Sequence, residues 1–138
     1  MEILTVPGNL ESLSVVAAYV LNAAQSAGLD KKQAYKLRLA VDELVTNIIV
    51  HGYQEKGLAG EIQLAAQWDA SSLSVRIEDT GHPYDPTRHS LPQEADLAQS
   101  LIQRPHGGLG IYLALDGVDE LRYERVDDRN RSVLTVNL

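Results

Sequence analysis

Three short stretches of this chain combine residue types with chemistry to perform. The first is Asp79-Thr80-Gly81-His82-Pro83-Tyr84-Asp85-Pro86. Leu73, Val75 and Ile77 alternate with Ser74, Arg76 and Glu78, so period two puts Asp79 on the apolar face of a strand. A carboxylate there is costly unless donors meet it. Gly81 turns the chain at once and leaves that strand-end carboxylate facing a cleft. Asp before Gly is also a common turn pair, so the stretch does not decide the matter alone. The second stretch is Glu43, Asn47 and His51, four residues apart and stacked on one helix face beside Leu44 and Ile48. A solvated flank, with His51 favoured near a helix C-terminus, fits the same spacing. As chemistry, Asn47 offers a neutral carbonyl oxygen to a hard cation such as Mg²⁺. Glu43, one turn earlier, can orient or deprotonate an attacking hydroxyl.

The third stretch, Arg104-Pro105-His106-Gly107-Gly108-Leu109-Gly110, opens a helix. Its glycines let backbone N–H groups approach phosphate, and a helix start favours anions. It is not a Walker A loop, because no Gly-Lys-Ser/Thr follows. It is not a dinucleotide fingerprint, because no strand leads directly into it. Arg104 and His106 are the nearest side chains able to meet a terminal phosphate, and the permanently charged Arg is the stronger candidate. The four histidines (His51, His82, His89 and His106) lack metal-ligand spacing. Ser90 and Ser100 lack the partners of a hydrolytic triad.

Regular elements must position these groups. Ile3 to Val6 reads as a short edge strand stopped by Pro7-Gly8. Asn9 or Ser12 can cap a helix that runs to Ala27 and ends at Gly28. Asp30 caps a second helix carrying Leu37, Val41, Leu44 and Ile48, with Gly52 and Gly57 bracketing its end. Ile62, Leu64, Ala66 and Trp68 alternate as a strand, and Asp69-Ala70-Ser71-Ser72 turns into the strand ending at Asp79. From Gly81 to Gly108 the pattern is lost, and four of the five prolines fall there. Only Glu94 to Ile102 has short-helix character in that stretch, and long loops in small domains are often functional. Leu109 to Leu115 reads as a helix. Glu120 to Val126 and Val133 to Leu138 read as a hairpin around Asp127-Asp128-Arg129-Asn130. The expected architecture is α+β, a two-layer sandwich with helices on one face of a mixed β-sheet.

The chain has 138 residues, enough for one domain with its own core. It has no cysteine, which removes disulfides, thiolate metal sites and a cysteine nucleophile. A net charge of -7 argues against a general binder of nucleic-acid backbone. The longest apolar run, Val15 to Leu21, is too short to span a membrane, so the expectation is a cytoplasmic protein without membrane contact.

The three stretches, in this order, resemble the motifs of the GHKL superfamily, the histidine-kinase-like ATPases. Glu43-Leu44-Val45-Thr46-Asn47 is similar to its N box, Asp79-Thr80-Gly81 to its first glycine box, and Gly107-Gly108-Leu109-Gly110 to its second. Within that superfamily the chain is most similar to the small anti-sigma-factor serine/threonine kinases. Their "D-x-G-x-P-F-D-P"-like box is matched from Asp79 to Pro86, with Tyr84 in the Phe position. The resemblance implies a histidine-kinase-like ATPase fold over residues 1–138, with an ATP lid at about 82–108. It implies ATP and Mg²⁺ as cofactors. By position, Asn47 would bind Mg²⁺ and Glu43 would act as the base on a protein hydroxyl. Asp79 would accept the adenine amino group while Gly81 lets the base approach. Gly107, Gly108, Leu109 and Gly110 would hold the phosphates, with Arg104 or His106 at the terminal one. A basic residue often directly precedes the second glycine box in the family. Here His106 holds that place and Arg104 stands two earlier.

The implied activity is an ATP-dependent protein serine/threonine kinase working by partner switching to regulate transcription. Its implied substrate is a STAS-type anti-sigma-factor antagonist, and a sigma factor is the second implied partner. The competing expectation is a nucleotide-gated module that sequesters a protein partner without phosphorylating it. An intact Glu43 favours the kinase, since a pure binder needs no base. Homodimerisation stays open, because Leu13, Val16, Ala17, Val20 and Leu21 suffice only for an inward face of the first helix.

Overall fold

Two helices and five strands follow from these local signals in a computed structural model that describes residues 1–86 and 117–138. Strand β1 spans Leu4–Pro7, helix α1 Leu13–Ala27, helix α2 Lys31–Asn47, strand β2 Glu61–Trp68 and strand β3 Ser72–Asp79. Strands β4, Glu120–Val126, and β5, Arg129–Asn137, complete the described elements. The helices expected over 94–102 and 109–115, and most of the expected lid, lie outside the described residues.

Helix α1 buries Val16, Ala17, Val20, Ala23 and Ala24, the inward stripe of a 3.6-residue period. Gly28 ends it in the left-handed region at φ 92°, where a glycine pays no Cβ penalty. Neither Asn9 nor Ser12 caps this helix through its side chain. Ser12 holds the N-cap position, but its hydroxyl donates to the Pro7 carbonyl at 2.7 Å and ties the helix start to β1. Asp30 does cap α2, accepting from the Gln33 N–H at 2.8 Å. The inward stripe of α2 is Leu37, Ala40, Val41, Leu44 and Val45, and it also contains Asn47. Beyond Asn47 the helix widens into a π-helical turn, Ile48–Tyr53, and tightens again over Gln54–Lys56.

The strand order is β1-β2-β3-β5-β4. All four pairings among the described residues are antiparallel, where a mixed sheet was expected. The reason lies in the connections. β2–β3 and β4–β5 are hairpins, and the α1–α2 pair returns the chain antiparallel to β1. Asp69 shapes the first hairpin turn by accepting from the N–H groups of Ser71 and Ser72 at 2.8 and 3.0 Å. The second turn is only Asp127-Asp128, both at positive φ (49° and 65°), the two-residue geometry that matches strand twist. Asn130, expected in that turn, is therefore in β5, and the strand starts four residues earlier than Val133.

One face of the sheet carries Ile62, Leu64, Leu73, Val75, Ile77 and Leu134, all buried in one core with the inward stripes of α1 and α2. Burial of this apolar area supplies the main drive to fold. The same alternation carries Asp79 and Asn130 to the inner face at one end of the sheet. No described helix is long and apolar enough to cross a membrane.

Candidate functional site

Asp79 ends β3 directly opposite Asn130 of β5 and is 1% exposed. Its Oδ1 accepts from the Gly81 N–H at 2.8 Å and from Asn130 Nδ2 at 2.9 Å. Burial pushes the Asp79 carboxyl above its ordinary range. The Asn130 and Gly81 hydrogen bonds and the charges of Arg125 and Arg129 offset only part of that rise. The donors that a carboxylate on an apolar strand face demands are thus present, and they come from the chain itself.

Gly81 sits hard against the far end of α2. A Cβ here would lie 2.8 Å from the Gly52 carbonyl oxygen and 3.1 Å from Asp79 Oδ1. The His82 N–H donates to that same Gly52 carbonyl at 2.9 Å. Tyr53, 1% exposed, fixes the residue before Gly81 by accepting from the Thr80 N–H at 3.0 Å while donating to the Glu61 carbonyl at 2.8 Å. The glycine was expected to make room for a base. The close approach seen here is to Gly52, so the missing side chain first serves to dock the loop on the widened helix turn.

Helix α2 supplies the other side of the site. Leu44 and Ile48 line a narrow pocket together with Asp79, Tyr84, Asn130 and Ser132. Tyr84 stacks on His51 with ring centroids 5.5 Å apart and planes 20° from parallel. His51 Nδ1 is 3.0 Å from a Glu55 carboxylate oxygen. The Tyr84 phenol is pushed up to about 12, first by burial and second by the charge of Glu43. Tyr84 therefore connects the Asp79 loop to the predicted base. A broader groove on the β4–β5 edge is lined by Glu120, Arg122, Glu124 and Arg131. Its charges already pair, Arg122 with Glu120 and Arg131 with Glu124, and it holds none of the predicted site residues.

Asn47 is completely buried, yet neither its Oδ1 nor its Nδ2 has a hydrogen-bond partner among the described residues. Oε2 of Glu43, one turn earlier, is also buried without a partner. Buried polar atoms are almost always satisfied, and each such orphan costs about 1–3 kcal/mol. A pair of orphans on one helix face fits an absent polar ligand. A neutral carbonyl oxygen with a nearby carboxylate suits Mg²⁺ held mainly by phosphate and water, since Mg²⁺ takes only one or two protein ligands in such sites. Among the described residues no three acidic or imidazole side chains converge into a cage of their own.

The structure thus brings Asp79 into one pocket with Leu44 of α2 and Ile48 just beyond it, and Gly81 against Gly52, while Glu43 and Asn47 do not line that pocket. Arg104, His106, Gly107, Gly108, Leu109 and Gly110 lie outside the described residues. Sequence reading overlooked Asn130, Arg125, Tyr53 and Gly52. Counting back by two from the apolar Val136 and Leu134 reaches Ser132 and then Asn130, a signal that its closeness to a turn obscured. The other three carry no such signal, because their roles depend on contacts far apart in sequence.

The model of the family described as Histidine kinase-like ATPase domain matches residues 6–136. The serine/threonine-protein kinase BtrW of Bordetella bronchiseptica is 34% identical over 73% of this chain and 68% of its own length. The serine-protein kinase RsbW of Staphylococcus aureus is 27% identical over 84% of this chain and 74% of its own. Among solved structures, the SiaB–SiaC complex from Pseudomonas aeruginosa aligns over 100% of this chain and 89% of that one, with a TM-score of 0.62 and 16% identity. The RsbU and RsbW domains of a Mycobacterium tuberculosis protein align over 99% of this chain but only 32% of that one, with a TM-score of 0.60 and 16% identity. Structural likeness at such identity speaks for the fold alone. With the family model spanning nearly the whole sequence, the chain belongs to the histidine kinase-like ATPase family, on its branch of anti-sigma-factor serine/threonine-protein kinases.

Proposed function

We propose that this chain transfers the terminal phosphoryl group of ATP to a serine or threonine hydroxyl of a STAS-type anti-sigma-factor antagonist in the cytoplasm. By that transfer it regulates transcription through exchange of partners, with a sigma factor as the second partner. The observation that carries the reading is the pair of orphaned polar groups on α2, Asn47 and Glu43, on the helix whose Leu44 lines the pocket with the hydrogen-bonded Asp79 carboxylate.

Bound Mg²⁺-ATP would supply the transferable phosphoryl group and the cation that neutralises it. Asp79 accepts a hydrogen bond from the exocyclic amine of the base and so sets the orientation of the nucleotide. Asn47 offers its side-chain carbonyl to Mg²⁺. Glu43 would take the proton of the incoming hydroxyl as its oxygen bonds to the terminal phosphorus and the bond from that phosphorus to the bridging oxygen breaks, with ADP leaving. Tyr84, near enough for the Glu43 charge to act on its phenol, would help keep bulk water from that carboxylate. Arg104 or His106 would meet the terminal phosphate, and Gly107, Gly108, Leu109 and Gly110 would serve the chain of phosphates through their backbone N–H groups.

The test is transfer of label from γ-labelled ATP to STAS proteins encoded in the same genome. The expected result is label on one serine or threonine of one such protein, lost when that residue is changed to Ala. ATP binding with no transfer to any candidate would replace the kinase by a nucleotide-gated sequestering module.

A further inference from the structure

Asn130 is the most connected side chain at the base end of the site. The sheet register sets Asp79, Asn130 and Arg125 side by side on three neighbouring strands, β3, β5 and β4. Asn130 is buried, at 4% exposure. Its Nδ2 donates to Asp79 Oδ1 at 2.9 Å and to the carbonyls of Gly81 and His82, both at 3.2 Å. Its Oδ1 accepts from Arg125 at 3.1 Å and from the Tyr123 hydroxyl. Arg125 also donates to the Gly81 carbonyl at 3.2 Å.

This arrangement fixes which way the amide points. Three acceptors surround Nδ2 and two donors surround Oδ1, so reversing the amide would set like against like at every contact but that of the Tyr123 hydroxyl, which can also accept. Asp could not replace it, because a carboxylate has no hydrogen to give. Neither could Leu or Val, which would leave Asp79, two carbonyls, a guanidinium and a phenol short of one partner each.

We infer that Asn130 is the positioning residue that makes this site selective for an amino-bearing purine, holding Asp79 so that one carboxylate oxygen faces the base. The inference rests on the nucleotide reading above. The Gly81 N–H and Asn130 both bind Oδ1, and two donors on one oxygen fix the carboxylate plane. Oδ2 is then the acceptor for the exocyclic amine. A base bearing a carbonyl at that place, as in inosine, sets oxygen against oxygen. A site built to accept an N–H discriminates strongly against analogues that lack it. Asn130 does not touch the base. It acts through Asp79 and through the Gly81 and His82 carbonyls that shape the same loop.

The experiment compares affinities for ATP, ITP and inorganic tripolyphosphate in wild type, Asn130→Asp and Asn130→Ser. Wild type is expected to prefer ATP to ITP. Asn130→Asp, equal in shape but without a donor, should lose ATP affinity by about tenfold, the worth of one charge-assisted hydrogen bond. Its affinities for ITP and tripolyphosphate should stay within about twofold, so the ATP preference collapses. Asn130→Ser gives the same readout should the Asp variant fail to fold. An unchanged ATP:ITP ratio, or equal losses for all three ligands, would overturn the role of Asn130 and leave the nucleotide site standing. A wild-type protein that binds none of the three would instead remove the nucleotide reading itself.

Discussion

The two polar ends of this site are furnished in opposite ways. At the sheet end, Asp79 meets two donors from its own chain and sits within reach of two arginine charges. At the helix end, Asn47 and one oxygen of Glu43 are buried with nothing to bond among the described residues. The first end has its donors in place before any ligand arrives, which would serve the proposed base recognition, since a rotating carboxylate discriminates poorly. Among the described residues the second end is left unsatisfied, and on the proposed reading an incoming cation with its phosphates would relieve that cost. On the proposed function, selectivity would be prebuilt, while the reactive end would gain most from binding.

Substitutions can break this contrast or sharpen it. The largest effect is expected at the helix end. Glu43→Gln should lower phosphoryl transfer by about 10²–10⁴-fold, the usual worth of a general base, with ATP affinity measured by calorimetry nearly unchanged. Transfer at the wild-type rate would remove Glu43 from the chemistry. Gly81→Ala tests the junction between the ends. Its Cβ would press on the Gly52 carbonyl 2.8 Å away. A loss of about 1–3 kcal/mol in denaturant unfolding is expected, the cost of overpacking; a neutral result would mean that the loop can shift freely.

At the sheet end, Asp79→Asn keeps one oxygen for the two donors but turns an amide N–H toward the base. ATP affinity should fall about tenfold, with tripolyphosphate unaffected. The same variant reads out the buried charge. The folded Asp79 pKa lies above the ordinary value of 3.8, so folding takes up a proton. That contribution is full below the ordinary value and is lost as pH rises through the folded value. Relative to Asp79→Asn, wild type should therefore gain stability as pH falls through this window; parallel melting curves would contradict it. The smallest effect has the opposite sign. Asn47→Leu removes two orphaned atoms and should stabilise the unliganded protein by about 1 kcal/mol, while Mg²⁺ no longer strengthens ATP binding. A less stable variant would show that Asn47 is satisfied in solution.

Much of this was legible because its signals are local. Asp30 before the helix, Gly28 after one, and the alternation up to Asp79 each name an element within a few residues. The Glu43–Asn47 face followed from helical spacing alone. The antiparallel order of all four strand pairs was not legible, since a strand's own pattern does not say which neighbour it joins or in which sense. The π turn over Ile48–Tyr53 has no signature in residue types, yet it delivers the Gly52 carbonyl to His82. Asn130 was misplaced for a plainer reason. An Asn near two Asp residues looks like turn chemistry, and only the two-residue turn at Asp127-Asp128 releases it into the strand.

That turn has a further consequence. Asp127 and Asp128 both hold backbone angles better suited to Asn-Gly. The strain is local, and it lies between the legs that carry Arg125 and Asn130. Such a hairpin tip frays before a core melts. Base discrimination would then have its own melting point, below that of the fold. On warming, the preference for ATP over ITP should decline ahead of the loss of circular dichroism. Asp128→Gly, by relaxing the tip, should bring the two curves together; curves already coincident in wild type would show that the clamp and the core open as one.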